Sequence, residues 1–305
     1  MSRLHDPAVE MARQIEVIGA AWGLGGADPG CAEAPGVLAP LLGKRLASCG
    51  VAAKTGRILA PTGRERRKQA AVSHLCAELA SAVAESLSRD ALPCVLGGDH
   101  SCAGGTWTGV SRGLNARGAK ALGLVWVDAH MDAHTPRTSH SGRLHGMPLA
   151  WLLGQDDDPL YGLATGVVEP QHVCLVGVRS FEPEERERLE RLGVRVLYME
   201  DVQRSGVAAA LAEALEIANR GTDAFGISVD LDAVTPEEAP GVGTPVERGL
   251  RGAELAAALA GIGGRPELAA VELVEYCPRL DPDGRSARVA IDLLAAALCG
   301  PQQQP

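Results

Sequence analysis

The chain has 305 residues, 46% of them apolar and 22% charged, with a formal net charge of −9. That composition excludes a disordered chain, and the length can bury a large core as one α/β unit. The acidic balance argues against a basic binding face, so neither nucleic acid nor an anionic membrane is expected as a partner.

In chain order, the opening MSRLHDPAVEMARQ is charged and carries no apolar stretch, so no secretory leader is expected. A strand is predicted over Ile15–Ala20, then a Gly/Pro-rich loop over 23–30 and a helix over Ala34–Ser48. A long Ala-rich amphipathic helix is predicted over 65–88. Short apolar runs at 93–96 and 121–127 read as buried strands, as do 172–178 and 194–198, with a charged helix over Pro183–Leu192 between the last two. A helix over Val207–Asn219, a strand over 224–229, a helix over 253–260, a strand over Leu268–Val274 and a closing helix over 287–298 complete the reading. Gln155 to Asp158 and Pro301 to Pro305 are the segments expected to be mobile. No run of about 18 apolar residues occurs, so no membrane span is expected. The eight cysteines are scattered without a Cys-x-x-Cys pair and read as free thiols in a reducing cytoplasm.

Apolar runs alternating with amphipathic helices imply an α/β fold: one three-layer domain over 1–305, a mainly parallel doubly wound sheet with helices on both faces. Such sheets bind ligands at the carboxyl ends of their strands. Four polar clusters fall there: Gly97-Gly98-Asp99-His100-Ser101, the run Asp128 to His134, Asp230-Leu231-Asp232, and Glu275.

Asp128, His130 and Asp132 are spaced by two, as are Asp230 and Asp232. Two residues of extended chain span roughly 6.6 Å. One ion cannot be gripped at that spacing unless the chain bends, whereas two ions roughly 3.5–4 Å apart can, with Asp128 between them. Buried strand-end carboxylates also need compensation, and no lysine lies in these clusters. His100, Asp128, His130, Asp132, Asp230 and Asp232 therefore form a candidate ligand set for two divalent cations. Its oxygen-rich character favours Mn²⁺, although Co²⁺, Ni²⁺ and Fe²⁺ accept such ligands.

The segments GGDHS at 97–101, DAHMDAH at 128–134, SGRLHG at 141–146, SVDLDA at 228–233 and VEYCP at 274–278 resemble the signature segments of the arginase/agmatinase family. The resemblance extends to Ile18-Gly19-Ala20 and Gly36-Val37-Leu38 and covers nearly the whole chain. It implies a binuclear manganese hydrolase that cleaves a guanidino group to urea and an amine, assembled as a homotrimer or homohexamer. His100, Asp128, Asp132 and Asp230 would hold one ion, and His130, Asp128, Asp230 and Asp232 the other. His145, Glu275 and Asp132 are the implied catalytic residues, with His145 shuttling the proton and Glu275 pairing with the substrate guanidinium. Asp99 is expected to orient a ligand histidine, and Glu272 reads as a strand-end surface acid.

The small-molecule substrate is expected to be a guanidino compound held by His134, Ser141, Arg143, Glu182 and Thr244. Arginases carry Asn, Ser and Asn where this chain has His134, Ser141 and Arg143, and an acid where it has Ser180. Arg143 offers a carboxylate two hydrogen bonds, and Glu182 offers an α-amino group an acid. This favours L-arginine. Agmatine, 4-guanidinobutyrate, 3-guanidinopropionate and formimidoylglutamate stay open within the family. A metal-binding member without catalysis is the alternative of another class.

Overall fold

The computed structural model describes residues 13–63, 67–119, 121–155 and 166–299. The expectations for 156–158 and 301–305, for most of the N-terminal segment and for the first two residues of the 65–88 helix lie outside these.

The chain runs β1 (Ile15–Ala20), α1 (Ala34–Ser48), β2 (Ala53–Leu59), α2 (Lys68–Ser88), β3 (Leu92–Gly97), α3 (Ala103–Ala116), β4 (Leu122–Val127), α4 (Pro148–Leu152), β5 (Val173–Val178), α5 (Pro183–Leu192), β6 (Arg195–Tyr198), α6 (Met199–Ser205), α7 (Val207–Asn219), β7 (Ala224–Asp230), α8 (Gly252–Leu259), β8 (Leu268–Val274) and α9 (Arg285–Cys299). The strands form one eight-stranded sheet in the order β2-β1-β3-β8-β7-β4-β5-β6. Every neighbouring pair is parallel.

Alternation along each strand divides the core between the two faces. In β4, Val125 and Val127 join the cluster built with Leu38, Leu42, Leu211, Leu255 and Leu294, from α1, α7, α8 and α9. Leu124 and Trp126 join the opposite cluster with Leu75, Leu79, Trp107, Leu149 and Leu189, from α2 to α5. Both faces are covered, as an all-parallel sheet requires, and strands β1, β3, β4, β5, β7 and β8 are buried along their whole length.

Four elements escaped the sequence reading: β2, α3 and the short helices α4 and α6. Strand β2, AKTGRIL, is a half-exposed edge strand with no apolar run to mark it. Helix α3, AGGTWTGVSRGLNA, is poor in strong helix formers. Packing decides its course: a Cβ at Gly105 or Gly109 would stand 2.7 Å from Cys76 O or 2.6 Å from Ala80 O, so these glycines let α2 and α3 lie against one another.

The cysteine expectation is corrected for one pair. Cys31 and Cys277 form a disulfide across 246 residues, tying the loop after β1 to the segment after β8. Among the described residues, Cys76, Cys94, Cys102 and Cys174 are free and buried, as expected; Cys49 and Cys299 are free and partly exposed. No helix among the described residues is long and apolar enough to cross a membrane.

Candidate active site

The four polar clusters follow β3, β4, β7 and β8, which are adjacent in the sheet in the order β3-β8-β7-β4. Their carboxyl ends therefore converge. Asp128 directly follows β4 and is fully buried. Its Oδ1 accepts from the His130 backbone N–H at 2.7 Å, and its Oδ2 from Trp126 Nε1 at 2.9 Å. The same device ends β7, where Asp230 Oδ1 accepts from the Asp232 N–H at 2.9 Å. Short acidic side chains capture the backbone two residues on, and so turn an extended chain within one step. Asp132 completes the first curl at φ 49°, a left-handed conformation uncommon outside glycine.

His100 comes in from the other side, after β3. Its Nδ1 lies 3.3 Å from Asp128 Oδ2, 2.9 Å from Asp132 Oδ2 and 3.2 Å from Asp230 Oδ2. This buried nitrogen makes no hydrogen bond of normal geometry with any of them. A buried ring nitrogen facing three carboxylate oxygens is an arrangement that added positive charge completes. His130 Nδ1 lies 3.1 Å from Asp232 Oδ2 and 3.6 Å from Asp128 Oδ1. Two groups able to hold a metal ion result: His100, Asp128, Asp132 and Asp230 in one, and Asp128, His130 and Asp232 in the other. Asp128 belongs to both, whereas Asp230 belongs to the first alone. Thr244 Oγ1 donates to Asp232 Oδ2 at 3.0 Å and sets that carboxylate.

The electrostatics agree with a cation-binding cluster. Burial disfavours the imidazolium of His100, yet Asp128, Asp132 and Asp230 outweigh it and raise its pKa well above the ordinary value. Burial and Asp232 act in the same opposed way on His130, whose pKa is also raised. Burial and the neighbouring Asp128 push Asp132 up to about 6, and burial with Asp232 and Asp128 raises Asp230 far above the carboxylate range. Only Asp128, facing both imidazoles, is held below its ordinary value against the cost of burial. Carboxylates that strain against ionisation are relieved by added positive charge.

Beside this cluster stand His145 and Glu275. His145 Nδ1 is 3.0 Å from Glu275 Oε1, which also accepts from the His100 backbone N–H at 2.9 Å. Glu275 is fully buried and sits at φ 64°. Burial disfavours its charge, but His145 and the His100 N–H keep its pKa below the ordinary value. The partner responds oppositely: burial lowers the His145 pKa, Glu275 outweighs burial, and the result is about 9. Gly98 lets the loop after β1 lie against the end of β3, because a Cβ there would stand 1.9 Å from Trp22 O.

The comparisons with known proteins can be read against this geometry. Residues 13–300 match the family described as Arginase family. The arginase of Bacillus caldovelox is 38% identical over 232 residues, covering 75% of this chain and 76% of that protein. The arginase of Brucella melitensis is 36% identical over 222 residues, 72% of each chain. The chain belongs to the arginase family. In three dimensions, the native structure of Bacillus caldovelox arginase at pH 5.6 superposes with a TM-score of 0.88 at 32% identity, covering 96% of this chain and 100% of that one. Entamoeba histolytica arginase in complex with L-ornithine gives 0.85 at 27% identity, covering 93% and 98%. The chain is a ureohydrolase, a hydrolase acting on guanidino groups.

Placed in this family's site, the remaining residues separate. Ser141 and Arg143 are exposed on one wall of a cavity that Lys68 and Gln69 line from α2. His134 is not a free donor: its Nε2 lies 3.0 Å from Glu182 Oε2 and its Nδ1 3.2 Å from Thr138 Oγ1. Asp99 does not contact a histidine ring as expected. Its Oδ2 accepts from Gly25 N–H at 2.9 Å and its Oδ1 from Ser101 N–H at 3.0 Å, so it fixes the loop after β1 and the turn that carries His100.

Glu272 is the clearest correction, because it is 0% exposed rather than a surface acid. It accepts from Ser228 Oγ at 2.7 Å, from Trp107 Nε1 at 3.2 Å and from Thr106 Oγ1. Ser228 Oγ in turn lies 3.0 Å from His100 Nε2. Trp126 stacks on the His100 ring with centroids 4.2 Å apart. The reading of the motifs did not single out Ser228, Trp126 or Thr106. A glutamate inside the apolar run Leu268–Val274 was the available signal, since a charge in a fully buried strand needs partners.

Proposed function

We propose that this chain hydrolyses L-arginine to L-ornithine and urea with two Mn²⁺ ions. The observation that carries the reading is Asp128, shared by two metal-ligand groups that open beside the His145–Glu275 pair. Relatives of 36–38% identity named arginase support the substrate. Two divalent cations supply the activation of a water at near-neutral pH.

His100, Asp128, Asp132 and Asp230 would hold one ion, and Asp128, His130 and Asp232 the other, with Asp230 able to lean toward both. Glu275 orients the planar guanidinium by charge-assisted hydrogen bonds, turning its carbon toward the attacking water. Asp132 would orient that water's proton. His145 carries a proton at neutral pH and delivers it to the departing amine nitrogen. The trimeric or hexameric assembly is part of this reading and is checked by light scattering.

The test is urea release by protein loaded with Mn²⁺, offered L-arginine, agmatine, 4-guanidinobutyrate and 3-guanidinopropionate with and without chelator. Chelator-sensitive urea from L-arginine is the expected result, and Asp128→Asn should abolish it together with bound metal. Urea from another of these compounds alone would overturn the substrate and keep the chemistry.

A further inference from the structure

Resting on the ureohydrolase reading, we infer that Arg179 is a positioning residue for the ion that His130 and Asp232 would hold, because it ties together the main chain of the segments that set those two ligands. Arg179 lies one residue beyond β5, the neighbour of β4 in the sheet. Its backbone N–H and that of Ser180 both donate to Ala129 O at 2.9 Å. Ala129 stands between Asp128 and His130, and its own N–H reaches Asp232 Oδ1 at 3.4 Å.

The side chain takes hold of two further segments. Nη2 donates to Asp232 O and to Val246 O, each at 2.8 Å. Nη1 donates to Ala233 O and to Gly177 O, each at 3.2 Å, and Nε to Glu247 O at 3.0 Å. These bonds use all five N–H groups of the guanidinium. Val246 and Glu247 follow Thr244, whose Oγ1 donates to Asp232 Oδ2, the oxygen 3.1 Å from His130 Nδ1. Arg179 therefore holds Asp232 twice, by its carbonyl and through the loop that orients its carboxylate. The fit is close, since a Cβ at Gly249 would stand 2.6 Å from Arg179 Nη2.

Charge and geometry pull in opposite directions here. Burial lowers the guanidinium pKa, and Asp232, Asp128 and Asp230 act against it. A fixed cation near these carboxylates repels incoming dications, so its charge alone weakens their binding. The planar fork does the reverse, because it holds Asp232 in place before an ion arrives. Lysine keeps the charge but carries its three donors on one nitrogen, which cannot span five carbonyls.

The experiment titrates Mn²⁺ into metal-free wild type, Arg179→Met and Arg179→Lys against a metal-binding dye, with His130→Ala marking the phase that belongs to the ion at His130 and Asp232. Both Arg179 variants should weaken that phase about 10- to 100-fold and leave the other within about 3-fold. Urea release from L-arginine should fall at low Mn²⁺ and return at raised Mn²⁺, with KM for L-arginine little changed. Thr244→Val should weaken the same phase, and add less than its own effect in the Arg179→Met background, since both act through one carboxylate. Tighter ion binding in Arg179→Met, with Arg179→Lys like the wild type, would show that the residue acts by charge and would overturn the positioning role. Equal weakening of both ions would overturn it too, as general support of the fold. No urea from L-arginine, agmatine or 4-guanidinobutyrate by wild type with two ions bound would overturn the ureohydrolase reading instead, and would leave the titrations of the Arg179 variants unaffected.

Discussion

Ser228 and Glu272 are register partners on β7 and β8, and the serine Oγ lies 2.7 Å from the glutamate Oε2. The carboxylate can only accept, so the hydroxyl proton belongs to it, and Ser228 Oγ is left to accept from His100 Nε2 at 3.0 Å. With an ion bound, that keeps a proton on Nε2 and leaves Nδ1, which faces Asp128, Asp132 and Asp230, as the ligand atom. Ser228→Ala should therefore weaken the ion held by His100 about 10- to 100-fold while leaving the ion at His130 and Asp232 in place. Titration against a metal-binding dye reads this directly; equal weakening of both ions would contradict it. Glu272→Leu should cost roughly 2–5 kcal/mol of stability, because it strands the Ser228, Trp107 and Thr106 donors in the core.

His145 owes its raised pKa, about 9, to Glu275 acting against burial. The imidazolium is present below that value and lost above it. If it protonates the leaving amine, kcat should decline as pH rises through about 9. His145→Asn should lower kcat by about 10²- to 10⁴-fold, retain both ions, and lack that alkaline limb. A variant that keeps the limb would move the titration to another group.

The fold and the inner site were legible because their signals are local. Apolar runs such as Leu122–Val127 end abruptly in paired acids, and the two-residue spacing of Asp128, His130 and Asp132 survives folding as one chain-reversing bond, from His130 N–H to Asp128, followed by the left-handed turn at Asp132. What was missed depends on contacts across the sheet. Glu272 reads as a surface acid until Ser228 and Thr106 are brought to it by β7 and α3. His134 reads as a donor for substrate until α5 sets Glu182 against it. Cys31 and Cys277 read as free thiols because nothing in a separation of 246 residues announces a pair.

That disulfide yields its own expectation. It anchors the loop whose Gly25 binds both Asp99 and the His145 backbone, and it lies two residues beyond Glu275. Cys277→Ser should lower the unfolding free energy by about 2–5 kcal/mol. A phosphine reductant should lower the melting temperature of the wild type by several degrees and leave the variant unchanged. Identical responses in both would show that the bond contributes nothing.

Glu185 links the site's outer edge to the pH dependence of stability. Burial pushes its pKa up to about 8, against the N–H groups of Ala133 and Glu182 that favour its charge. In the unfolded chain it would titrate near 4.3. Between those two values the folded state holds a proton that the unfolded state has released, so stability must fall as pH rises from about 4.3 to 8, by up to about 1.4 kcal/mol per unit, and level off above. Glu182 works the other way, since its pKa is held down despite burial and its contribution is lost on acidification. Glu185→Gln removes the first effect and spares the second. Metal-free wild type and variant, melted from pH 5 to pH 9, should therefore diverge, with the variant gaining stability relative to wild type as the solution becomes alkaline. Parallel melting curves across that range would show that Glu185 is ionised in the folded chain, and that its carboxylate is stabilised by the two backbone N–H groups more than burial disfavours it.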